Sequence, residues 1–394
     1  MSAPRVVVSA VLGAAIGVGC APLAGPIDAE VVVFDPDADE GYALATRTLT
    51  SPLDLAAGRG SVVDVVAGTE DLLATVASNI GAPEPDTFAA FVQHNRTDAG
   101  PIAAALSVDG DRVVADDWES LLYLSAVHGF EQVFAFAADV GVDEGPRGHT
   151  RVRYHHRIHV GVVERIGTDN AAYNPRTDEW LLYPTMLQLW GPLSGNANVL
   201  AHEFGHRVFQ YAVFAGPAFA VWRDLDVAPT TRDERRRTQV LDGVNEGFAD
   251  LFAIAFANDV DAVRVLDNRA MSSPFAQDVT LESIEDDGHP DVCSGVPGDE
   301  SFNFYCIGTV FAAAVVAGVD GEAARVRDEL LPELMHHALP AVGERLADGT
   351  PFALPLLLNE VARARPDGAP RAAMCAAFAD RFSSVMNEVT SCLP

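Results

Sequence analysis

The sequence predicts an α+β protein, with a strand-bearing N-terminal part followed by a mainly helical C-terminal part. Three observations carry this. Short alternating apolar runs fall before residue 190, and long runs at helical spacing dominate after it. Nearly half of the 394 residues, 49%, are hydrophobic, enough to bury a sizeable core. No internal repeat interrupts the order.

The elements follow in turn. Met1 to Arg5 carries one positive charge, Val6 to Val18 is apolar or small, and Gly19-Cys20 follows. This is the layout of a secretory signal over residues 1–19, too short to span a membrane comfortably. Gly17-Val18-Gly19-Cys20 resembles a bacterial lipobox, with Gly17 where Leu is usual, and makes Cys20 the expected lipid attachment. An ordinary cleaved signal is the alternative. The chain is thus expected to be exported, either lipid-anchored to the bacterial cell envelope or secreted. Four cysteines remain, Cys293, Cys306, Cys375 and Cys392. An even number in an exported chain points to two disulfides, and pairing neighbours is the simplest of three connectivities.

Residues 20–114 read as an N-terminal extension or pro-region, with a short strand at Val31–Phe34 and turns at 35–40 and 82–86. Residues 115–394 form the main domain. Apolar residues at helical spacing predict a helix from Trp118 to Val140, stopped at Gly141. Strands are expected at 154–166 and 180–183. Helices are expected at 197–214, 243–258, 304–318, 322–337, 352–364 and 370–388.

The formal charge is −30, and all 26 basic residues are Arg. Such a balance excludes nucleic acid as a partner and leaves only the N-terminal lipid to reach a membrane.

The chemistry concentrates in His202-Glu203-Phe204-Gly205-His206. Helical residues four apart share a face, so both imidazoles can grip one Zn²⁺ while Glu203 reaches the water beside it. With 11 His in 394 residues, such a run arises by chance roughly 0.02 times per chain. A tetrahedral catalytic site needs a third protein ligand. Asn245-Glu246-Gly247-Phe248-Ala249-Asp250 supplies one, on an otherwise apolar helix where carboxylates are costly unless paired or on a metal. Glu246 is expected on zinc, and Asp250 behind a ligand histidine.

These motifs resemble those of the gluzincin zinc metallopeptidases, particularly the thermolysin-like and fungalysin-like groups, over residues 150–320. Pro192-Leu193-Ser194-Gly195 before the H-E-x-x-H, and the N-E-x-x-x-D run, carry the likeness. It implies a thermolysin-like zincin domain with one catalytic zinc held by His202, His206 and Glu246. It also implies Glu203 as general base, and Asn245 and Asp250 orienting the histidines. Asp169-Asn170-Ala171-Ala172-Tyr173-Asn174 is similar to the family's substrate-pairing edge strand, which makes Asn170 and Ala171 candidate peptide binders. Phe304 to Ala312 resembles the helix that usually bears an oxyanion-stabilising His, but Tyr305 stands in its place. Tyr305, or His289 in a nearby loop, is the candidate replacement. The gap between His206 and Glu246 exceeds that of thermolysin, so residues 216–238 read as an exposed insertion.

The expected activity is zinc-dependent hydrolysis of a peptide or protein substrate by an exported endopeptidase. Two alternatives share the ligands. One is a catalytically weak zinc-bearing peptide binder, favoured by Tyr305 and opposed by the intact Glu203. The other is a zinc aminopeptidase, which lacks a recognisable acidic anchor for an α-amine.

Overall fold

The computed structural model describes residues 26–35, 37, 41–50, 63–67, 70–72, 104–142, 150–154, 157–159, 170–175, 178–183, 192–214, 232–264, 269–285 and 304–393. Helices dominate and two four-stranded sheets accompany them, so the fold is mixed α+β. The expected signal segment and Cys20 lie outside the described residues.

The first sheet contains β1 (Ile27–Phe34), β2 (Tyr42–Leu49), β5 (Leu106–Asp109) and β6 (Arg112–Ala115), in the order β2-β1-β6-β5. β1 is longer than its apolar core Val31–Phe34 announces, because Ile27 and Ala29 alternate inward with Asp28 and Glu30 outward. It packs on α1 (Trp118–Asp139), where the Val32 N–H donates to Ser125 Oγ at 2.8 Å. Asp117 caps α1 by accepting from the Ser120 N–H, and Gly141, at φ +81°, follows its end.

The second sheet runs β3-β7-β10-β9, from β3 (Val63–Ala67), β7 (Thr150–Tyr154), β10 (Glu179–Leu182) and β9 (Ala171–Asn174). β4 (Glu70–Leu72) pairs with β8 (Arg157–His159). A buried ion pair ties β7 to β10, with Arg153 Nε and Nη2 at 2.9 and 3.0 Å from the Glu179 carboxylate. Trp180 of β10 joins three elements. Its ring lies 5.1 Å from Phe130 of α1 and stacks at 5.7 Å on Phe204 of α2 (Ala197–Phe214).

The helical half centres on α2, α3 (Arg232–Ala257) and α6 (Phe304–Ala317), after the short α4 (Pro274–Asp278) and α5 (Leu281–Glu285). α3 begins at Arg232, so the segment 216–238 read as an exposed insertion is helix from Arg232 on; residues 215–231 lie outside the described residues. Residues 323–347 form one helical run in which π segments, Val326–Leu330 and Leu334–Ala338, alternate with α segments. Each π segment is followed by a proline, Pro332 or Pro340, whose missing N–H removes an ordinary α-helical bond. α7 (Leu354–Ala364) and α8 (Ala369–Arg381) are the last α-helices among the described residues. A disulfide joins Cys375 to Cys392, as the neighbour pairing expects. Cys306 is also disulfide-bonded, while Cys293 lies outside the described residues.

Candidate metal centre

The site forms where α2 crosses α3, and glycine makes the crossing close. A Cβ on Gly205 would lie 2.7 Å from the Ala249 Cα, so only a hydrogen fits between the two motifs. A Cβ on Gly247 would likewise stand 2.5 Å from the Gly308 carbonyl oxygen, so α3 and α6 also meet backbone to backbone.

This crossing gathers His202, Glu203 and His206, all buried, with one ligand-capable atom from each within 4.8 Å of the others. Glu246 faces them from α3. Its carboxylate oxygens lie 3.4 Å from His202 Nε2 and 3.7 Å from His206 Nε2. Both carboxylates therefore border the same point.

The imidazoles are oriented from behind. His202 Nδ1 lies 3.0 Å from Asp250 Oδ1, and Asp250 is fully buried. His206 Nδ1 lies 3.1 Å from Asn245 Oδ1. A neutral ring that keeps its proton on the Nδ1 facing the oxygen leaves its Nε2 lone pair forward for a cation. Those two Nε2 atoms stand 3.1 Å apart, beside the Glu246 carboxylate. Converging lone pairs and carboxylate oxygens repel unless a cation or proton lies between them. This donor set of two imidazole nitrogens and carboxylate oxygen fits a divalent cation such as Zn²⁺.

Arg269 completes the polar cluster, and sequence reasoning missed it. Its guanidinium reaches both Asp250 oxygens, at 2.7 and 3.0 Å, and the Glu246 carboxylate at 3.0 Å. It is buried and charge-balances two carboxylates that would be costly alone. The signal available was only that two buried carboxylates call for a cation; no spacing singled out this arginine.

The charges act on one another. Burial, then Arg269, pull the His202 imidazolium down, yet Asp250 and Glu246 outweigh them and hold it up at about 9. Burial would raise the Glu246 carboxyl, but His206 and Arg269 hold it well below the usual range. One turn earlier on α3, burial and then Glu246 push Asp242 up to about 7.

The remaining expected residues are placed around this cluster. Glu203 Oε2 accepts the backbone N–H of Tyr173 at 2.7 Å. β9 is the outer strand of its sheet and lies against α2. Asn170 is exposed just before it, and its Oδ1 accepts the N–H of the buried Ala171 at 2.9 Å. Tyr305, in the first turn of α6, covers Arg269, with the guanidinium carbon 5.3 Å from its ring centre. Tyr305 keeps 41% of its surface exposed, and partial desolvation of its inner side, then Glu246, push its phenol up to about 12. His289 lies outside the described residues. No protein-family model matches the chain, and a search of curated proteins finds no match.

Proposed function

We propose that this chain is an exported zinc-dependent hydrolase of peptide bonds, with His202, His206 and Glu246 as ligands and Glu203 as general base. One observation carries the reading. Two imidazoles, each anchored through Nδ1 to an acceptor, converge their Nε2 atoms beside one carboxylate and leave a second, Glu203, next to the same point. A structural metal site has no use for that extra carboxylate.

A bound zinc supplies Lewis acidity toward a carbonyl and lowers the pKa of water beside it. Every other part falls to the chain. Among the described strands β9 is the outer one of its sheet, a place where an extended peptide can lie. Glu203, held by the Tyr173 N–H, takes a proton from the attacking water and returns it to the departing amine. Asp250 and Asn245 keep the histidine rings turned toward the metal. Tyr305, which covers Arg269 beside the Glu246 carboxylate, is the candidate donor to the carbonyl oxygen as it gains negative charge. The Cys375–Cys392 disulfide favours an oxidising compartment, in line with export.

The test is metal content together with hydrolysis of a denatured protein, with and without a chelator. We expect about one zinc per chain, activity abolished by the chelator and restored by zinc, and Glu246→Ala unable to retain the ion. Chelator-resistant activity, or full occupancy in Glu246→Ala, overturns the assignment.

A further inference from the structure

We infer that Asp178 and Arg207 are positioning residues that clamp the β9–β10 hairpin to α2, so that the Tyr173 backbone N–H holds one oxygen of Glu203. This rests on the reading of Glu203 as the general base, and it concerns residues that neither the H-E-x-x-H spacing nor the ligand set points to.

The contacts close a ring. Glu203 and Arg207 are four apart on α2 and share a face. Glu203 Oε2 accepts from the Tyr173 N–H at 2.7 Å. At the far end of the same residue, the Tyr173 hydroxyl donates to Asp178 Oδ1 at 2.8 Å. Arg207 Nε then donates to that same Asp178 oxygen at 3.0 Å, which returns the ring to α2. The hairpin is thereby fixed to the metal helix at two points, one of them the base itself.

Each member suits its place in the ring. Strand phase is set by the Tyr183 N–H bonded to the Asn170 carbonyl. In an antiparallel ladder bonded pairs alternate, so Ala172 and Asn174 also face β10 while Tyr173 turns its N–H to the outer edge, toward Glu203. Arg207 is buried, and its guanidinium packs 5.4 Å from the Trp180 ring centre and 5.5 Å from that of Tyr211. Asp178 sits at φ +53°, a left-handed conformation that Asp tolerates better than most residues. Burial would raise its carboxyl, but Arg207, Tyr173 and Tyr211 together hold it below the usual range.

The functional consequence comes from carboxylate geometry. The terminal torsion of a Glu is broad and nearly two-fold, so packing alone does not fix which oxygen faces the metal point. The Tyr173 N–H fixes it, and the clamp fixes the Tyr173 N–H. A hairpin that drifts by an ångström releases the carboxylate without touching a metal ligand.

The experiment uses the full chain and two conservative variants, Asp178→Asn and Arg207→Lys. Amide hydrogen exchange resolved at Tyr173 is measured beside kcat, KM and zinc content. We expect Tyr173 exchange to rise roughly tenfold or more while α2 stays protected. Zinc content and KM should hold, and kcat should fall by roughly ten- to a hundredfold. In the Glu203→Gln background the kcat loss from Asp178→Asn should vanish, since the residue it serves is already disabled. Unchanged Tyr173 exchange in both variants overturns the clamp. So does a kcat loss of the same size in the Glu203→Gln background. Should the parent protein hydrolyse nothing while exchange changes as expected, the clamp stands and the hydrolase reading falls.

Discussion

Glu203 stands between the proposed metal point and a backbone N–H, and the two neighbours make different demands on it. Glu203→Gln satisfies the second and fails the first: the amide oxygen still accepts from Tyr173, but no basic oxygen remains. Zinc bound per chain, read by elemental analysis, should not change, while hydrolysis should fall by about a hundredfold or more. A variant as active as the parent would remove Glu203 from the chemistry. Asp242 answers to pH instead. Its carboxyl is pushed up to about 7 in the folded chain, from about 3.9 when unfolded. A raised carboxyl binds its proton more tightly in the folded state, so its contribution to stability is fully present below pH 4 and lost as pH rises through 7. In chemical denaturation, Asp242→Asn should match the parent near pH 4 and exceed it by a few kcal/mol at pH 8. At this scale the convergence of His202, Glu203, His206 and Glu246 and their supports was legible, because H-E-x-x-H and N-E-x-x-x-D fix spacing along a helix. Arg269, Asp178 and Arg207 were not, because each meets its partner across the fold and no local period records such a meeting.

Among elements, the α2–α3 crossing decides where the histidines stand relative to Glu246. Gly205→Ala places a methyl group 2.7 Å from the Ala249 Cα, and backbone cannot swing aside as a side chain can. The helices must part, at a cost of about 1–3 kcal/mol typical of an overfilled core. Zinc affinity and the melting temperature should therefore fall together; a variant with weakened melting but unaltered zinc affinity would show that the crossing does not set the ligand distance. Elements were legible where burial writes a period. The helix expected over 197–214 is Ala197–Phe214, and that expected at Trp118–Val140 is Trp118–Asp139. α3 starts at Arg232 rather than 243, since Arg232-Asp233-Glu234-Arg235-Arg236-Arg237 has no apolar residue to mark a face. The π segments were equally silent, because a shift of one residue in bonding leaves composition unchanged.

For the whole molecule, the strands before residue 115 are structural partners of the later elements. Ala29 and Val31 of β1 are fully buried, and β3 belongs to the same sheet as the strand that holds Glu203. A chain beginning at residue 115 would uncover the face of α1 that β1 covers and remove a strand beside β7. It should fail to give a monomer that melts cooperatively, whereas a chain beginning at residue 21 should do so. Size-exclusion chromatography with a thermal melt distinguishes them. A well-folded, zinc-binding 115–394 fragment would restore the earlier residues to the standing of a removable pro-region.

The helix contacts through Gly205, Gly243, Gly247 and Gly308 bear on how this chain can vary. Cβ atoms there would fall 2.5–2.7 Å from main-chain atoms or, at Gly243, equally close to Ile307. All nineteen other amino acids carry that atom. No single replacement at these four codons is therefore silent in space, however conservative its chemistry, while the acidic surface can drift freely. Descendants of this sequence should therefore stay glycine at these crossings, so part of its inheritance is fixed by residues that perform no chemistry at all.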